Sequence, residues 1–245
     1  MKIGIISDVH SNIDALEKVF EEFESRGIDK VICLGDVIGI GPYPEECMEF
    51  LMNKKDMMIS YIRGNHENYL LKGIPKRNHN EPDAKPLSEE EKATHKWNHL
   101  QLKPAQIEFI QRLKNRDILT VEGKEIVIEH YPMDENDKFK KFQKRPTMEE
   151  LEKSFDNKNA DVYLFGHTHI RCYFKNRNKH FINPGSLGCP IDTGGASCGI
   201  LDIENGEIHY DQLTVKYDVD KVIKEIKEIN YPLNGFMIKI FYKQK

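Results

Sequence analysis

An α/β fold built on a parallel sheet is what this sequence predicts, and three observations carry the prediction. Short apolar runs without polar alternation stand at Ile3–Ser7, Val31–Leu34 and Met57–Ile62, the pattern of strands buried on both faces. Between them the apolar residues take helical spacing. Each run ends in a polar cluster: Asp8-Val9-His10, then Gly35-Asp36, then Arg63-Gly64-Asn65-His66-Glu67. A strand, a cluster and a helix, repeated three times, is a right-handed β-α-β-α-β unit, and the carboxyl ends of its strands are where such sheets place chemistry.

The elements follow in order. After the first cluster Ser11 or Asn12 caps a helix with Ile13, Leu16, Phe20 and Phe23 inward, and Gly27 stops it. A Gly/Pro-rich loop, Gly39 to Pro44, leads to a helix carrying Cys47, Phe50 and Leu51. At the third cluster Gly64 is expected to let the backbone turn tightly. Ile74 to Pro82 is polar and Pro-rich and reads as a loop. Ser88-Glu89-Glu90-Glu91 starts a capped helix running through Trp97, and a second helix opens near Pro104 with Ile107, Ile110 and Leu113 on one face. Residues 73–114 are therefore expected to form a small helical cap inserted in a single domain of residues 1–245.

From Asp117 the chain turns to strands. Ile118–Val121 and Glu125–Ile128 form a hairpin that ends at His130. Thr147 opens a helix to about Phe155. Val162–Phe165 is a buried strand ending at Gly166-His167-Thr168-His169. Hairpins are expected over 171–182 and 199–215. Asp218 then starts a helix with Val222, Ile223, Ile226 and Ile229 inward, and residues 236–242 read as an edge strand. The basic segment Lys138 to Arg145 has two readings. One is a solvated helix face with Phe139 and Phe142 packed inward; the other is contact with a polyphosphate or nucleotide tail.

Bulk properties exclude several classes. The 245 residues are 39% hydrophobic and 31% charged, with a net charge of −4, a balance that favours neither nucleic acid nor an anionic membrane as partner. No apolar run approaches the roughly 20 residues of a membrane span. The N-terminus reads as a first strand rather than a signal peptide. Five cysteines without a Cys-x-x-Cys pair point to reduced thiols and a cytoplasmic setting, with Cys189 and Cys198 a reduced pair. His79, His95, His99, His180 and His209 are expected at the surface or in packing roles. Nothing in the sequence sets the oligomeric state.

The clusters together supply Asp8, His10, Asp36, Asn65, His66, His130, His167 and His169. Carboxylate and amide oxygens mixed with imidazole nitrogens, without thiolate, suit a divalent metal such as Mn, Fe, Zn, Ni or Co. So many donors exceed one closed four-coordinate site. They fit a pair of metals about 3.5–4 Å apart.

The order Asp-x-His, Gly-Asp, Gly-Asn-His-Glu, His, Gly-His-x-His resembles the calcineurin-like metallophosphoesterases, across residues 8–169. Asn183-Pro184-Gly185-Ser186-Leu187-Gly188 and the middle helices resemble the small bacterial and archaeal YfcE-like branch. The resemblance implies a four-layer αββα sandwich of two mixed sheets flanked by helices, with the C-terminal strands in the second sheet. It implies that Asp8, His10, Asp36 and His169 hold one metal, and that Asp36, Asn65, His130 and His167 hold the other, Asp36 bridging. Manganese is the metal expected first. His66 stays off the metals as general acid at the leaving oxygen, an imidazolium steadied by Asp36 or a backbone carbonyl, while a metal-bridged hydroxide attacks phosphorus. Arg63 either forks onto a phosphate oxygen or forms a salt bridge to Glu67 or to an acid of the cap.

Two positions depart from the pattern. Gly39-Ile40-Gly41 stands where the protein-phosphatase branch carries Asp-Arg-Gly, so that phosphate clamp is missing. Tyr131-Pro132 follows His130 where relatives carry Gly-Ser-Pro, so the local turn differs. The expected activity is hydrolysis of a small phosphate ester, a phosphodiester or nucleotide first. The alternatives are a phosphomonoesterase, including a protein phosphatase, and a non-catalytic scaffold on the same fold.

Overall fold

The structure is a computed structural model, described here over residues 1–77, 85–136, 138–155, 159–191 and 194–242. The first half alternates as the periodicity requires: β1 (Lys2–Ile6), α1 (Ile13–Ser25), β2 (Val31–Cys33), α2 (Pro44–Asn53), β3 (Met58–Tyr61) and α3 (Asn65–Lys72). Then come α4 (Glu89–Gln101), α5 (Pro104–Arg112), the hairpin β4 (Arg116–Val121) and β5 (Lys124–Glu129), α6 (Met148–Ser154) and β6 (Val162–Leu164). The chain closes with β7 (Cys172–Asn176), β8 (Lys179–Asn183), β9 (Ala196–Glu204), β10 (Glu207–Val215), α7 (Val219–Glu228) and α8 (Asn234–Ile240). Of the expected loop over 74–82, residues 78–82 lie outside the described residues, as does His79.

Two five-stranded mixed sheets result, in the orders β10-β9-β1-β2-β3 and β4-β5-β6-β8-β7. Strand alternation splits the core. Ile3 and Ile5 of β1, with Ile32 and Ile62, meet Ile126, Ile128, Val162, Leu164 and Ile182 between the sheets. On the other face Ile6, Val31 and Cys33 pack against Leu16, Phe20 and Phe23 of α1 and Cys47 and Leu51 of α2. Leu151 and Phe155 cover the second sheet through Tyr163, Phe165 and Phe181. Helix, sheet, sheet and helix give the four layers. Each fully buried aliphatic side chain in them contributes about 1.5–3 kcal/mol of hydrophobic transfer.

Local rules explain the ends. The Asn12 side chain accepts from Ala15 N and caps α1; Ser88 and Thr147 form capping boxes with Glu91 and Glu150 on α4 and α6. Helices α4 and α5 lie against α2, and α4 also against α3. Trp97 seats α4 on the C-terminal helices, its ring edge-on to Tyr231 at 5.0 Å.

Four expectations are corrected. The hairpin β9–β10 belongs to the first sheet: β9 pairs antiparallel with the edge of β1 that β2 leaves open, Gly4 opposite Ile200. Only β7 and β8, among the strands after residue 170, extend the second sheet. Residues 236–242 are not an edge strand, because α8 and its C-cap occupy them. Met237 sits in the α7 cluster with Ile226 and Tyr231, and the Phe241 amide donates to the Met237 carbonyl one turn back. Ile229 caps α7 and is 39% exposed rather than inward. The segment 138–145 is not a helix: Lys140 N donates to Pro132 O, and Lys140 Nζ to Ser154 O at the end of α6. His180 takes the packing role expected of it, buried and bonded to the Tyr173 hydroxyl at 3.0 Å.

No helix of the described residues is long and apolar enough to cross a membrane. All five cysteines are free.

Candidate metal centre

The loops after β1, β2, β3, β5 and β6 converge at the carboxyl ends of both sheets. Holding them there takes unusual backbone. Asp8, His10, Asp36, His167 and His169 all have positive φ, between 46° and 66°, a region few residues other than glycine adopt. Strain of this kind persists only where surroundings over-determine it, and it gathers at functional sites.

Glu67 supplies much of that restraint. Fully buried, its carboxylate accepts from the amides of Gly64 (2.7 Å), Asp36 (2.9 Å), Val37 (2.8 Å) and Ile38 (3.2 Å). It thereby ties the loop after β2 to the start of α3. Burial, and then the charge of Asp36, push its carboxyl up to about 7 against the pull of the Gly64 and Ile38 amides. The sequence shows Glu67 inside the cluster without showing this role; an acid at the third position of a helix is the one available signal. Gly64 is needed for space rather than for a turn. Its φ is an ordinary −92°, but a Cβ there would stand 2.1 Å from Asp36 Oδ1.

The donor atoms are oriented from behind. Nδ1 of His10, His130 and His169 faces the carbonyls of Ile38 (3.3 Å), Leu34 (2.8 Å) and Cys189 (3.2 Å). An Nδ1 that donates to a carbonyl leaves Nε2 as a lone pair aimed inward. Nε2 of His10 and Nε2 of His169 then lie 2.9 Å apart, and Asp8 Oδ1 lies 3.7 and 3.4 Å from them. Asp8 Oδ1 is buried without a hydrogen-bond partner, whereas Oδ2 accepts from the Ser7 hydroxyl and His167 N. Lone pairs crowded around an unpartnered carboxylate oxygen fit a cation, which satisfies all of them at once. The Asn183–Gly188 turn supports the group from below, Ser186 Oγ donating to Asp8 O and Asn183 Nδ2 to Gly166 O.

Asp36 joins this group to a second one. Asp36, His130 and His167 form one potential ligand cluster, His10, Asp36 and His66 another, and Asp8, His10 and His169 a third. His130 Nε2 is 3.1 Å from Asp36 Oδ2 and 3.2 Å from Asn65 Oδ1. Burial opposes charge on His130, yet Asp36 and Asp8 push its imidazole up to about 9. Burial, then His169 and His130, push the His10 imidazole well down. Burial also opposes charge on Asp8, but the His169 and His130 imidazoles outweigh it and hold the carboxyl well below the usual range.

Every expected ligand thus reaches the cleft, His130 included despite its altered turn. Tyr131 instead packs its ring 5.1 Å from His167, with Phe139 stacked at 5.7 Å and Phe142 edge-on at 5.3 Å. This aromatic cage was legible only as apolar residues in a basic run.

The sequence model of the calcineurin-like phosphoesterase superfamily domain matches residues 1–206. The chain belongs to that superfamily. It is a phosphoester hydrolase. An uncharacterized protein of Methanocaldococcus jannaschii, MJ0912, is 27% identical over 246 residues, covering 94% of this chain and 93% of its own. Phosphodiesterase MJ0936 of the same organism is 24% identical, covering 84% of this chain and 96% of its own. A metallophosphoesterase from Sphaerobacter thermophilus shares the fold, at 22% identity, 97% coverage of both chains and a TM-score of 0.71.

Two catalytic expectations change within this phosphoesterase site. His66 is not steadied as an imidazolium. Its Nδ1 is buried without a partner and its Nε2 is 3.9 Å from Asp36 Oδ2, while burial, then His10 and His95, disfavour its charge. Arg63 does not find its acid in Glu67, whose oxygens are engaged by four amides; Arg63 Nε is itself buried without a partner. His95, expected in a surface or packing role, is buried with its ring 5.0 Å from that of His66.

Proposed function

We propose that this phosphoesterase hydrolyses small phosphodiesters, with two divalent metals, manganese first among them. The observation that carries the reading is the pair of ligand clusters meeting at Asp36, beside a buried carboxylate oxygen of Asp8 with no partner. Asp8, His10, Asp36 and His169 would hold one ion, and Asp36, Asn65, His130 and His167 the other. Metals held by these residues would supply a lowered pKa for bound water and positive charge against the phosphate. The relative whose name is phosphodiesterase covers most of the chain and supports the diester preference.

The chain's own residues do the rest. Asp36 orients the start of α3 by accepting from His66 N at 2.8 Å. His66 then stands at the leaving oxygen as proton donor. Its free-state charge is disfavoured, and a phosphate anion arriving beside it raises its pKa, so protonation accompanies substrate binding. Arg63 carries an unspent Nε that suits a phosphate oxygen. We read residues 1–245 as one domain, with the segment about 73–114 capping the cleft.

Turnover of bis-p-nitrophenyl phosphate by metal-stripped protein, with and without Mn²⁺, tests the proposal against His66→Ala and against p-nitrophenyl phosphate. Mn²⁺-dependent diester turnover that His66→Ala loses is the expected outcome. Faster turnover of the monoester would replace the diester reading with a phosphomonoesterase one. Two bound metals without turnover of either ester would leave a scaffold.

A further inference from the structure

Beside His66 lies a cavity of about 170 Å³. Asn65, His66 and Tyr69 of α3 form one side of it, and Glu91, Thr94 and His95 of α4 another. Leu233, Phe236 and Phe241, from α8 and its flanks, form a third side, and Gly39, Ile40, Pro75 and Leu87 fill in the rest. Leu233, Phe236 and Phe241 lie beyond residue 206, where the match to the superfamily ends. The matched span thus supplies most of the lining, and the C-terminal segment adds a wall of three residues.

Its chemistry is aromatic. The Tyr69 ring stands edge-on to His95 at 5.4 Å, and Phe236 edge-on to Phe241 at 6.3 Å. Phe236 leaves 52% of its surface in water at this site, although it is a large apolar residue. Among the described lining residues no lysine or arginine appears. Glu91 is the one charged residue there, and it is engaged by Ser88 N. Thr94 Oγ1 is spent on Glu90 O. The buried polar atoms left over are Nδ1 of His66 and Nδ1 of His95, neither with a partner among the described residues. A second phosphate would find no cation in such a cavity and an acid beside it. Size narrows the occupant further, since a cavity of about 150 Å³ holds one benzene ring.

We propose that this cavity receives the leaving alcohol, and that the alcohol carries an uncharged group of about one aromatic ring. The proposal rests on the phosphodiesterase reading, because that reading places His66 at the leaving oxygen. In the step, the water oxygen bonds to phosphorus and releases a proton to solvent, while the phosphorus–oxygen bond to the alcohol breaks. The departing oxygen keeps the electron pair and takes its proton from His66. The ring slides between Tyr69 and Phe236, and a polyphosphate or dinucleotide leaving group is excluded.

Saturation-transfer NMR on the metal-free protein tests the cavity without catalysis, using benzyl alcohol and 4-(hydroxymethyl)benzoate as probes. Transfer to the first and not to the second is expected, and Phe236→Ala should weaken it; the exposure of Phe236 makes unfolding a poor excuse, and an unchanged melting temperature will confirm that. In the Mn²⁺-loaded protein the same variant should raise KM for bis-p-nitrophenyl phosphate by about 2- to 12-fold, the worth of one ring contact. Equal transfer to both probes, or a KM that ignores Phe236, overturns this inference while diester turnover leaves the phosphodiesterase reading intact. Ring binding without hydrolysis of any ester overturns that reading, and the leaving-group assignment with it.

Discussion

Two regions meet at His66, and they are built to different standards. On the cluster side Asp8, His10, Asp36, His167 and His169 stand on positive-φ backbone, and His10, His130 and His169 are held by a hydrogen bond behind the ring. On the cavity side the walls are helix surfaces, with Phe236 half in water and His95 Nδ1 unpartnered. Restraint is concentrated where atoms must be placed to a fraction of an ångström. The region that selects the alcohol is held by ordinary packing, which a few substitutions can reshape.

The sharpest way to break this contrast is His66→Ala, which touches both sides. Loss of a general acid should lower kcat by about 10²- to 10⁴-fold, with both metals still bound by elemental analysis. The pH dependence sharpens the point. In the proposed role the protonated imidazole is the active form, so activity should fall as pH rises through its pKa. Burial and His10 hold that pKa low in the free protein, and bound phosphate raises it. The alkaline limb of kcat should therefore lie at higher pH than that of kcat/KM; coincident limbs would remove His66 from the proton-donor role.

Next in size is Gly39→Ala. At φ 124° a Cβ would stand 2.2 Å from His66 Nδ1, so the imidazole must shift, and misplacement of about 1 Å costs about 10²-fold in rate. Steady-state kinetics beside an unaltered metal content will check it.

Glu67→Gln probes the restraint on the cluster side. At pH 8 the amide NH₂ would confront two of the four backbone donors, and each unsatisfied buried group costs about 1–3 kcal/mol, so urea unfolding should show a loss of about 2–6 kcal/mol. Metal affinity should fall by about 10- to 100-fold as the Asp36 loop loosens. A stability loss with unchanged metal affinity would mean that the network supports the fold and not the site.

The smallest effect is the control. Thr147→Ala removes the hydroxyl that accepts from Glu150 N at the start of α6, at about 1 kcal/mol. Metal content and turnover should not change.

What the sequence by itself determined is the set of local elements and the donor atoms. Buried runs, caps at Asn12, Ser88 and Thr147, and polar clusters at strand ends are short-range signals, each contained within a few neighbouring residues. Every donor so marked is found in the cleft. Tertiary structure alone decided what those pieces meet. The β9–β10 hairpin joined the first sheet because β1 had a free edge, which no local pattern encodes. Residues 234–240 became a helix because Met237 had a cluster on α7 to enter, and its apolar spacing suits either period at that length. Glu67, an acid in a helical first turn by sequence, became the anchor of the Asp36 loop because that loop's amides arrive from 30 residues away. Such contacts join distant segments through space, and their energies depend on partners that a linear pattern does not name.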